Sequence, residues 1–371
     1  MSKKIITVSV ISELTTDQRV IRICTALHEM GFDVRVIARE FSDSLPLDQY
    51  IFKAKRIRCF FRKGFMQFAE FNVRLFLTLL FTRTTYFLAN DLDTLIPNYI
   101  IAKLRNKEIF YDTHEYYTGV PELEDSPFKK KFWKFFEDRI FPRLKTVYTV
   151  NESVRNLYQK EYGNQIFVIR NVPALQLVKP RVLPKNWNNK IILLMQGAGI
   201  NRNRGGLELL QSMKYLPAEY HLVFIGAGNL WNVIVEKRKE WQLENRVEMI
   251  GKVSPTELRQ YTPLAHLGFS LDGFEDLNFL YNLPNKVFDY IHAGVPVVAT
   301  AIPEVKTILE KYQCGVCLHN LNPEEIASQV LRIMNDQSYF HSMRTNALNA
   351  AKDLNWENEK QKLISIYQPF L

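Results

Sequence analysis

The sequence predicts an α/β protein made of two doubly wound domains that face each other across a cleft. The chain has 371 residues, which suits two domains of typical size better than one core. Short apolar runs typical of buried strands alternate with helix-length segments, with six runs in each half. This alternation is typical of parallel sheets covered by helices on both faces. Glycines and helix starts follow several of the runs, at the sheet edge where such domains bind ligands.

The first domain is predicted to span residues 1–172. Its strands are expected in IITVSVI, DVRVIAR, TTYFLAN, KEIFYD, KTVYTV and IFVIR. The first run follows two lysines, as in a signal peptide. Because it is short and rich in β-branched residues, we interpret it as a buried strand.

The alternation is interrupted at IRNVPALQLVKPRVLPKNW, whose three prolines predict a domain boundary. The second domain is expected to span residues 173–355, with strands in KIILLMQG, HLVFIGAG, RVEMIG, LGFSL, VPVVAT and GVCL. The last helix, about residues 356–371, could pack back onto the first domain, which the sequence does not decide.

Composition indicates a globular cytoplasmic protein. Hydrophobic residues make up 47% of the chain and charged residues 23%, which leaves no disordered tract. The most apolar stretch is interrupted by Arg74 and Arg83, so it lacks the roughly 20 consecutive apolar residues of a membrane span. Four cysteines fit a reducing compartment, and the CGVC pair at 314–317 has no second ligand pair for zinc.

The net charge of +9 is concentrated in the first half of the chain. Residues 53–68 hold six Lys and Arg, interleaved with phenylalanines, and no acid. This pattern favours a surface that rests on an anionic membrane, and an ordinary solvated helix and loop is the alternative. No recognition module accompanies the patch, so we expect no nucleic-acid partner.

Glycines follow three successive strands of the second half, and a fourth strand leads into LPNKVFDY. Glycines permit close backbone approach, and helix starts offer free N–H groups to an anion. Arg204 and Lys286 add positive charge to this geometry, which predicts a diphosphate pocket. The other candidate binding residues at the three glycine turns are Gly197, Gly199, Gly226, Gly228, Lys252 and Val253.

The segment LPNKVFDY predicts a helix that begins at the same pocket. Pro284 suits the first helical position, which leaves the N–H groups of Asn285 and Lys286 free for a phosphate. Asp289 lies on the same face as Asn285 but one turn further along the helix, where an acid can accept hydrogen bonds from a ribose diol. A nucleoside diphosphate fits both features, whereas a solvated helix face explains Asp289 alone.

Long stretches of the chain resemble retaining glycosyltransferases of family 4, which have the GT-B fold of two Rossmann-like domains. RVEMIGKVSPTELRQYTPLAHLGFSL and LPNKVFDYIHAGVPVVATAIPEV resemble their donor-binding domain; TTDQRVIRICTALHEMGFDVRVIAR, ANDLDTL and YDTHEYYTGVPEL resemble their acceptor domain. The resemblance implies metal-independent transfer, without a cofactor, of a sugar from a nucleotide-sugar to a glycan or lipid-linked acceptor. Such an enzyme is expected in the cytoplasm or at the inner face of the membrane, in cell-surface polysaccharide synthesis.

The resemblance also implies roles for single residues. Arg204 and Lys286 match the basic pair that steadies the diphosphate, and His114 matches a histidine at the reaction centre. In the family, two glutamates eight positions apart contact the donor sugar and the ribose. Asp289 stands at the position of the second glutamate, and Tyr281 stands at the position of the first.

The chain departs from the family pattern where sugar and acceptor are chosen. Because Tyr281 is no carboxylate, its sugar contact could pass to Asp276, Asn278 or backbone groups. Ala198 stands where the family commonly has an arginine, which leaves Arg202 or Arg204 to compensate. ELTTDQR replaces the family's glycine pair near the N-terminus.

Three alternatives remain open. Asp91 and Asp93 form the D-x-D pattern that binds Mg²⁺ or Mn²⁺ in the other main glycosyltransferase fold, although that fold leaves the glycine turns of the second half without a role. A sugar-nucleotide epimerase can share the two-domain fold. A non-catalytic nucleotide-sugar-binding protein would account for Tyr281 and Ala198.

Overall fold

The computed structural model of the chain describes residues 3–42, 44–47, 49–120, 123, 126–176, 178–274 and 277–371. The chain divides into two compact units. One comprises Met1–Asn171 with Glu357–Leu371, and the other comprises Val172–Trp356. Each unit contains one parallel sheet, as the sequence predicts for doubly wound domains.

The first unit is built on seven strands within the described residues. They are β1 (Ile5–Val10), β2 (Asp33–Arg39), β3 (Lys53–Ile57), β4 (Tyr86–Asn90), β5 (Glu108–Thr113), β6 (Thr146–Thr149) and β7 (Ile166–Val168). The helices that accompany them are α1 (Gln18–Glu29), α2 (Phe65–Phe81), α3 (Leu92–Leu104), α4 (Pro127–Ile140) and α5 (Glu152–Tyr162). The strand order is β3-β2-β1-β4-β5-β6-β7. Successive strands are added on one side of β1 up to β3 and on its other side from β4 onward, and doubly wound sheets bind ligands at this switch point between β1 and β4.

The second unit has six strands in its described part. They are β8 (Ile191–Gly197), β9 (Tyr220–Gly226), β10 (Val247–Ile250), β11 (Leu267–Ser270), β12 (Val297–Thr300) and β13 (Gly315–Leu318). Its helices are α6 (Gly206–Ser212), α7 (Trp231–Glu240), α8 (Pro255–Tyr261), α9 (Leu277–Leu280), α10 (Asn285–His292), α11 (Pro303–Tyr312), α12 (Pro323–Asn335) and α13 (Gln337–Asp353). The order β10-β9-β8-β11-β12-β13 reverses between β8 and β11.

The last helix, α14 (Trp356–Tyr367), packs in the first unit from residue 357 onward. Tyr367 is fully buried, and its ring lies 4.4 Å from that of Phe110 between centroids. Its hydroxyl lies 3.2 Å from the hydroxyl of Tyr148. Lys4 donates to the backbone carbonyls of Phe370 and Leu371 at 3.0 and 2.9 Å. These hydrogen bonds hold residues 370 and 371 next to the start of β1.

Strand β3 is absent from the predicted strands because its sequence, KAKRI, is basic rather than apolar. It pairs in parallel with β2 at the edge of the sheet, where solvent covers one side and basic side chains are tolerated. Arg56 of this strand is ion-paired with Glu13 at 2.6 Å. Residues 53–68 are therefore not one basic surface. They divide into an edge strand, a loop and the beginning of α2.

A buried ion pair joins three elements of the first unit. Arg19 of α1 is 4% exposed and contacts the fully buried carboxylate of Asp112, at the end of β5. Its Nε and Nη2 donate to the two carboxylate oxygens at 2.6–3.1 Å. Its Nη1 donates to the carbonyl of Ile169, directly after β7, at 2.6 Å. The pair thus fixes the start of α1 against the carboxyl ends of two strands.

None of the helices in the described residues is both long enough and apolar enough to cross a membrane.

Candidate functional site

Two glycines allow the loops after β8 and β9 to pack against each other. A Cβ atom on Gly226 would lie 1.9 Å from the carbonyl oxygen of Gly197, and one on Gly228 would lie 2.0 Å from that of Ile200. The loops are joined by a hydrogen bond from the Ile200 N–H to the Ala227 carbonyl at 3.0 Å. Gly226 and Gly228 are thus required by the protein's own packing, apart from any role toward a ligand.

Arg204 lies just before α6 and beside the loop after β8. A Cβ atom on Gly199 would stand 3.2 Å from Nη1 of Arg204, so the glycine leaves room for the guanidinium. The guanidinium also lies over the ring of Phe279, 4.8 Å from its centroid. The side chain is 23% exposed and therefore remains accessible. Arg202, by contrast, lies exposed on the loop.

Helix α10 begins at Asn285, one residue later than predicted. Pro284 precedes the first helical residue and has extended backbone angles, φ −64° and ψ 131°. A proline cannot donate a backbone hydrogen bond, and its ring favours an extended conformation in the residue before it, so it fits a helix boundary. No side chain of the described residues caps this helix start. The first N–H groups of α10 are thus left for a ligand or water.

Lys286 lies in the first turn of α10, within electrostatic reach of Arg204. Burial lowers the pKa of its ammonium group, the carboxylate of Asp272 raises it, and the charge of Arg204 lowers it further. The structure therefore brings together the two cations that the sequence singles out, although 82 positions separate them along the chain.

Asp272 is the residue of this cluster that sequence reasoning missed. It follows β11, is fully buried, and has Oδ1 3.5 Å from Nη1 of Arg204. Neither carboxylate oxygen accepts a hydrogen bond from the described residues. An acid directly after the apolar run LGFSL was the available signal, because strand ends carry the functional residues of parallel sheets.

Tyr290 holds α10 against the sheet. Its ring packs on Gly268 of β11 so closely that a Cβ atom there would lie 2.4 Å from the ring. Its buried hydroxyl accepts a hydrogen bond from the Gln196 N–H at 3.2 Å and has the carbonyls of Leu194 and Phe269 at 3.1 and 3.3 Å. The start of α10 is thereby fixed relative to the ends of β8 and β11.

Asp289 lines a pocket of about 240 Å³ within the second unit. The pocket is also lined by Arg259, Thr262 and His292, whereas Arg204 and Lys286 are not among its lining residues. Gln196 donates to the Asp289 carboxylate at 3.4 Å. The acid is therefore accessible one turn beyond the helix start.

The remaining candidates lie in loops near these elements. Lys252 is exposed and Val253 packs partly against the core, both between β10 and α8. Tyr281 directly follows α9, the short helix that contains Asn278, and both residues are half-buried. Asp276 lies outside the described residues.

His114 lies after β5 in the first unit, between two carboxylates. Its Nδ1 is 3.1 Å from Asp91, and its Nε2 is 3.3 Å from Asp112. Its backbone N–H donates to Asp91 at 2.7 Å. Burial by itself would lower the pKa of the imidazole, but the two carboxylates outweigh burial and raise the pKa to about 10. His114 is therefore a cation at neutral pH.

The D-x-D pair does not resemble an open metal site. The Asp91 carboxylate is engaged by His114, and Asp93 is 5% exposed. Burial, together with the charge of Asp91, raises the pKa of Asp93 well above its usual range. Among the described residues, no group of three or more His, Cys, Asp and Glu side chains could hold a metal ion.

Two family models match the chain in succession. The model described as Glycosyltransferase Family 4 matches residues 17–172, and that described as Glycosyl transferases group 1 matches residues 190–336. No curated protein sequence matches the chain significantly. The two models favour a transferase over the epimerase and the non-catalytic binding protein.

Solved structures with the same fold cover nearly the whole chain. Sucrose-phosphate synthase from Thermosynechococcus elongatus is 15% identical with a TM-score of 0.81, and 99% of each chain is covered. HepE from Anabaena, in complex with UDP-glucose, is 14% identical with a TM-score of 0.77, covering 98% of this chain and 99% of its own. A glycosyltransferase from Rickettsia africae is 15% identical with a TM-score of 0.76, covering 100% and 99%. At such identities the likeness shows the fold alone.

The two parallel sheets and these structures identify the GT-B fold, so the alternative fold suggested by the D-x-D pattern is wrong. Because the two glycosyltransferase models match successive parts of the chain on this fold, the protein belongs to the glycosyltransferases with a family 4 domain and a GT-B fold.

Proposed function

We propose that this glycosyltransferase moves a sugar from a nucleotide-sugar to a hydroxyl group of a glycan or lipid-linked acceptor. The proposed reaction retains the anomeric configuration and uses neither a metal nor a cofactor. The observation that carries the proposal is the cluster of Arg204 and Lys286 at the open start of α10. The complex of HepE with UDP-glucose supports a nucleotide-sugar donor on this fold.

The cation cluster fits the hardest step of such a transfer. Breaking the anomeric C–O bond passes through an oxocarbenium-like state and leaves negative charge on the departing diphosphate. Arg204, Lys286 and the first N–H groups of α10 would stabilise that charge without reorganising, which is the largest contribution expected of such a site. The departing phosphate oxygen can accept the proton of the acceptor hydroxyl, so the protein need not supply a base.

Asp272 would keep this cluster ready for the donor. Its carboxylate lies beside Arg204 and raises the pKa of Lys286, which opposes the effect of burial. Two cations and one acid leave one net positive charge to meet the diphosphate. Asp272 is therefore proposed as a positioning residue that keeps Lys286 charged in a half-buried place.

Asp289 and its surroundings would bind the nucleoside. The Asp289 carboxylate lines a pocket with Arg259 and Thr262, one turn beyond the phosphate position, where a ribose diol could donate to it. Tyr281 or Asn278 is proposed to contact the donor sugar. The proposed donor-binding set is completed by Gly197, Gly199, Gly226, Gly228, Lys252, Val253, Pro284 and Asn285.

His114 would act by charge and not as a base. Both ring nitrogens face carboxylates, and the pKa of about 10 keeps the ring protonated at neutral pH. It lies at the carboxyl end of β5, the sheet edge where acceptor and sugar would meet the first unit. The proposed place of reaction is the cytoplasm at the inner membrane face, in cell-surface polysaccharide synthesis. Within residues 53–68, the basic loop and the start of α2 are proposed to contribute to membrane contact, whereas residues 53–57 form strand β3.

Replacing either cation tests the transfer directly. In Arg204→Ala and Lys286→Ala we expect about 2–4 kcal/mol less transition-state stabilisation, because one charged partner of the leaving group is lost. The rate is measured with the donor found in a thermal-shift screen of UDP-, GDP-, ADP- and dTDP-sugars. Lys239→Ala, at an exposed lysine of α7, is the control. Wild-type turnover in both site variants would contradict the proposal.

Removing Asp272 should shift the pH dependence of donor binding. Because Asp272 raises the pKa of Lys286, Asp272→Asn should let Lys286 lose its proton at a lower pH. Donor affinity, measured by calorimetry across pH, should therefore begin to fall at a lower pH than in the wild type. In Asp272→Asn with Lys286→Arg the shift should disappear, since arginine stays charged. An identical shift in both variants would indicate a merely structural effect.

Asp289→Asn should weaken the binding of nucleotide-sugar and of free nucleoside diphosphate alike, by about 1.5–3 kcal/mol, because a charged acceptor for the ribose is lost. Such a uniform loss raises KM and leaves kcat nearly unchanged. Tyr281→Phe should weaken only the nucleotide-sugar. Calorimetry of both variants with both ligands gives the comparison, and normal binding of free nucleotide to Asp289→Asn would refute the ribose contact.

The rate of the wild type should show no ionisation of a base near pH 6.5, because His114 keeps its proton until about pH 10. Because His114 binds its proton more tightly in the folded chain than in the unfolded chain, protonation stabilises the folded state. This stabilisation is complete below pH 6.5 and is lost as the pH rises toward 10, by at most about 1.4 kcal/mol per pH unit. His114→Gln should lack this slope in urea unfolding. A rate profile with a pKa near 6.5 that vanishes in His114→Gln would show a base instead.

A further inference from the structure

Helix α2 has apolar residues on two opposite faces, and the described residues of the chain cover only one of them. The inner face consists of Phe71, Leu75 and Leu79, all fully buried in the first unit. The opposite face carries Met66, Val73, Leu77 and Phe81, all exposed, with Val73 at 60% and Phe81 at 84%. Their spacing of seven, four and four residues places them along one line of the helix. The inner face already anchors α2 to its unit, so the second face is not needed for folding.

The exposed face continues onto the two neighbouring helices. At the start of α2, Phe65 contacts the ring of Phe128 on α4, which is 73% exposed. At its end, Arg105 donates to the carbonyls of Leu80 and Thr82 and so joins the ends of α2 and α3. Leu104, the last residue of α3, is 70% exposed there. We define the outer face of α2 as Met66, Val73, Leu77, Phe81, Leu104 and Phe128.

Positive charge surrounds this face. Residues 49–107 contain eleven Lys and Arg but three acids, so the region is strongly basic. None of the three acids is fully exposed, and Glu70, on the outer side of α2, is paired with Arg74 at 2.7 Å and accepts from two backbone N–H groups. Exposed basic side chains lie before the start of α2 and beyond its end: Arg58, Arg62, Lys63, Arg83, Lys103 and Lys107.

This charge pattern selects among possible partners. A second copy of the chain placed face to face would bring positive ends against positive ends in either orientation, which opposes association. An anionic bilayer matches both features, since apolar side chains enter the boundary of the acyl region while Lys and Arg contact headgroup phosphates. No described helix is suited to span the bilayer, so α2 would lie on its surface.

We propose that the outer face of α2 docks the first unit on a membrane with anionic headgroups. The helix lies parallel to the surface, held from behind by its buried inner face. This proposal does not depend on the transfer reaction, and it places the contact on α2 and its flanking basic residues, whereas strand β3 stays in the sheet.

Vesicle sedimentation with the full chain tests the proposal. Wild-type protein should bind vesicles of phosphatidylglycerol and phosphatidylcholine, bind much less to phosphatidylcholine alone, and lose affinity at high salt. Val73→Ser with Leu77→Ser should lower the affinity about tenfold or more, because two apolar side chains no longer enter the boundary. Arg62→Glu with Lys63→Glu should lower it by a similar factor. Circular dichroism checks that each variant is folded.

The second unit provides matched controls. Val182→Ser with Leu183→Ser removes the same two residue types from an exposed loop, and Lys179→Glu with Lys185→Glu reverses two exposed charges. Both should bind vesicles like the wild type. Equal losses in the controls, or no binding of wild type to anionic vesicles, would overturn the proposal. So would a dimer in sedimentation velocity that Val73→Ser with Leu77→Ser abolishes. Nucleotide binding should stay unchanged in every variant, which separates this outcome from a failure of the proposed transfer.

Discussion

The buried carboxylates of Asp112 and Asp272 stand at the carboxyl ends of strands in the two sheets, and an opposite charge lies beside each of them. In the first unit Asp112 is held by Arg19, which also fixes the residue after β7. In the second unit Asp272 lies beside Arg204 and supports the charge of Lys286. These ion pairs offset the cost of burying the charges, and they also hold the charged side chains at the sheet edge where parallel sheets bind ligands. The stability of the fold and the chemistry of the site therefore depend on the same constraint, that a buried charge needs an opposite charge beside it.

The two units use this constraint in opposite ways. In the first, His114 is the cation between two acids, and each of its ring nitrogens lies within 3.3 Å of a carboxylate, so its proton is retained. In the second, cations outnumber the acid, and the surplus stands at the open start of α10. A surplus of positive charge suits a leaving diphosphate, whereas a histidine held between carboxylates suits an electrostatic role and is a poor base. This difference supports a mechanism in which the leaving phosphate, and not the protein, accepts the proton.

Close packing determines where the surplus charge is presented. Tyr290 packs on Gly268 and hydrogen-bonds the ends of two strands, which fixes α10 and with it Lys286. The glycines at 226 and 228 let two loops touch. Side chains so confined keep their geometry when a ligand arrives, and this preorganisation is what makes electrostatic stabilisation effective. The exposed outer face of α2 is the contrasting case, because none of the described residues of its own unit covers it.

The sequence by itself determined the alternation of strands and helices and the two parallel sheets. It also determined that His114 directly follows a strand, that Arg204 lies in the loop between a strand and a helix, and that Lys286 lies at a helix start. Each of these follows from local periodicity or from the residue after an apolar run, which are properties of neighbouring residues. Only the tertiary structure decided that KAKRI is an edge strand, that Pro284 precedes its helix, and that Asp272 lies beside Arg204. It also decided that α2 leaves an apolar face exposed, because two apolar faces look alike in a sequence until packing covers one of them. Pairing, protonation and exposure depend on which distant segments become neighbours, and the order of residues along the chain does not contain that information locally.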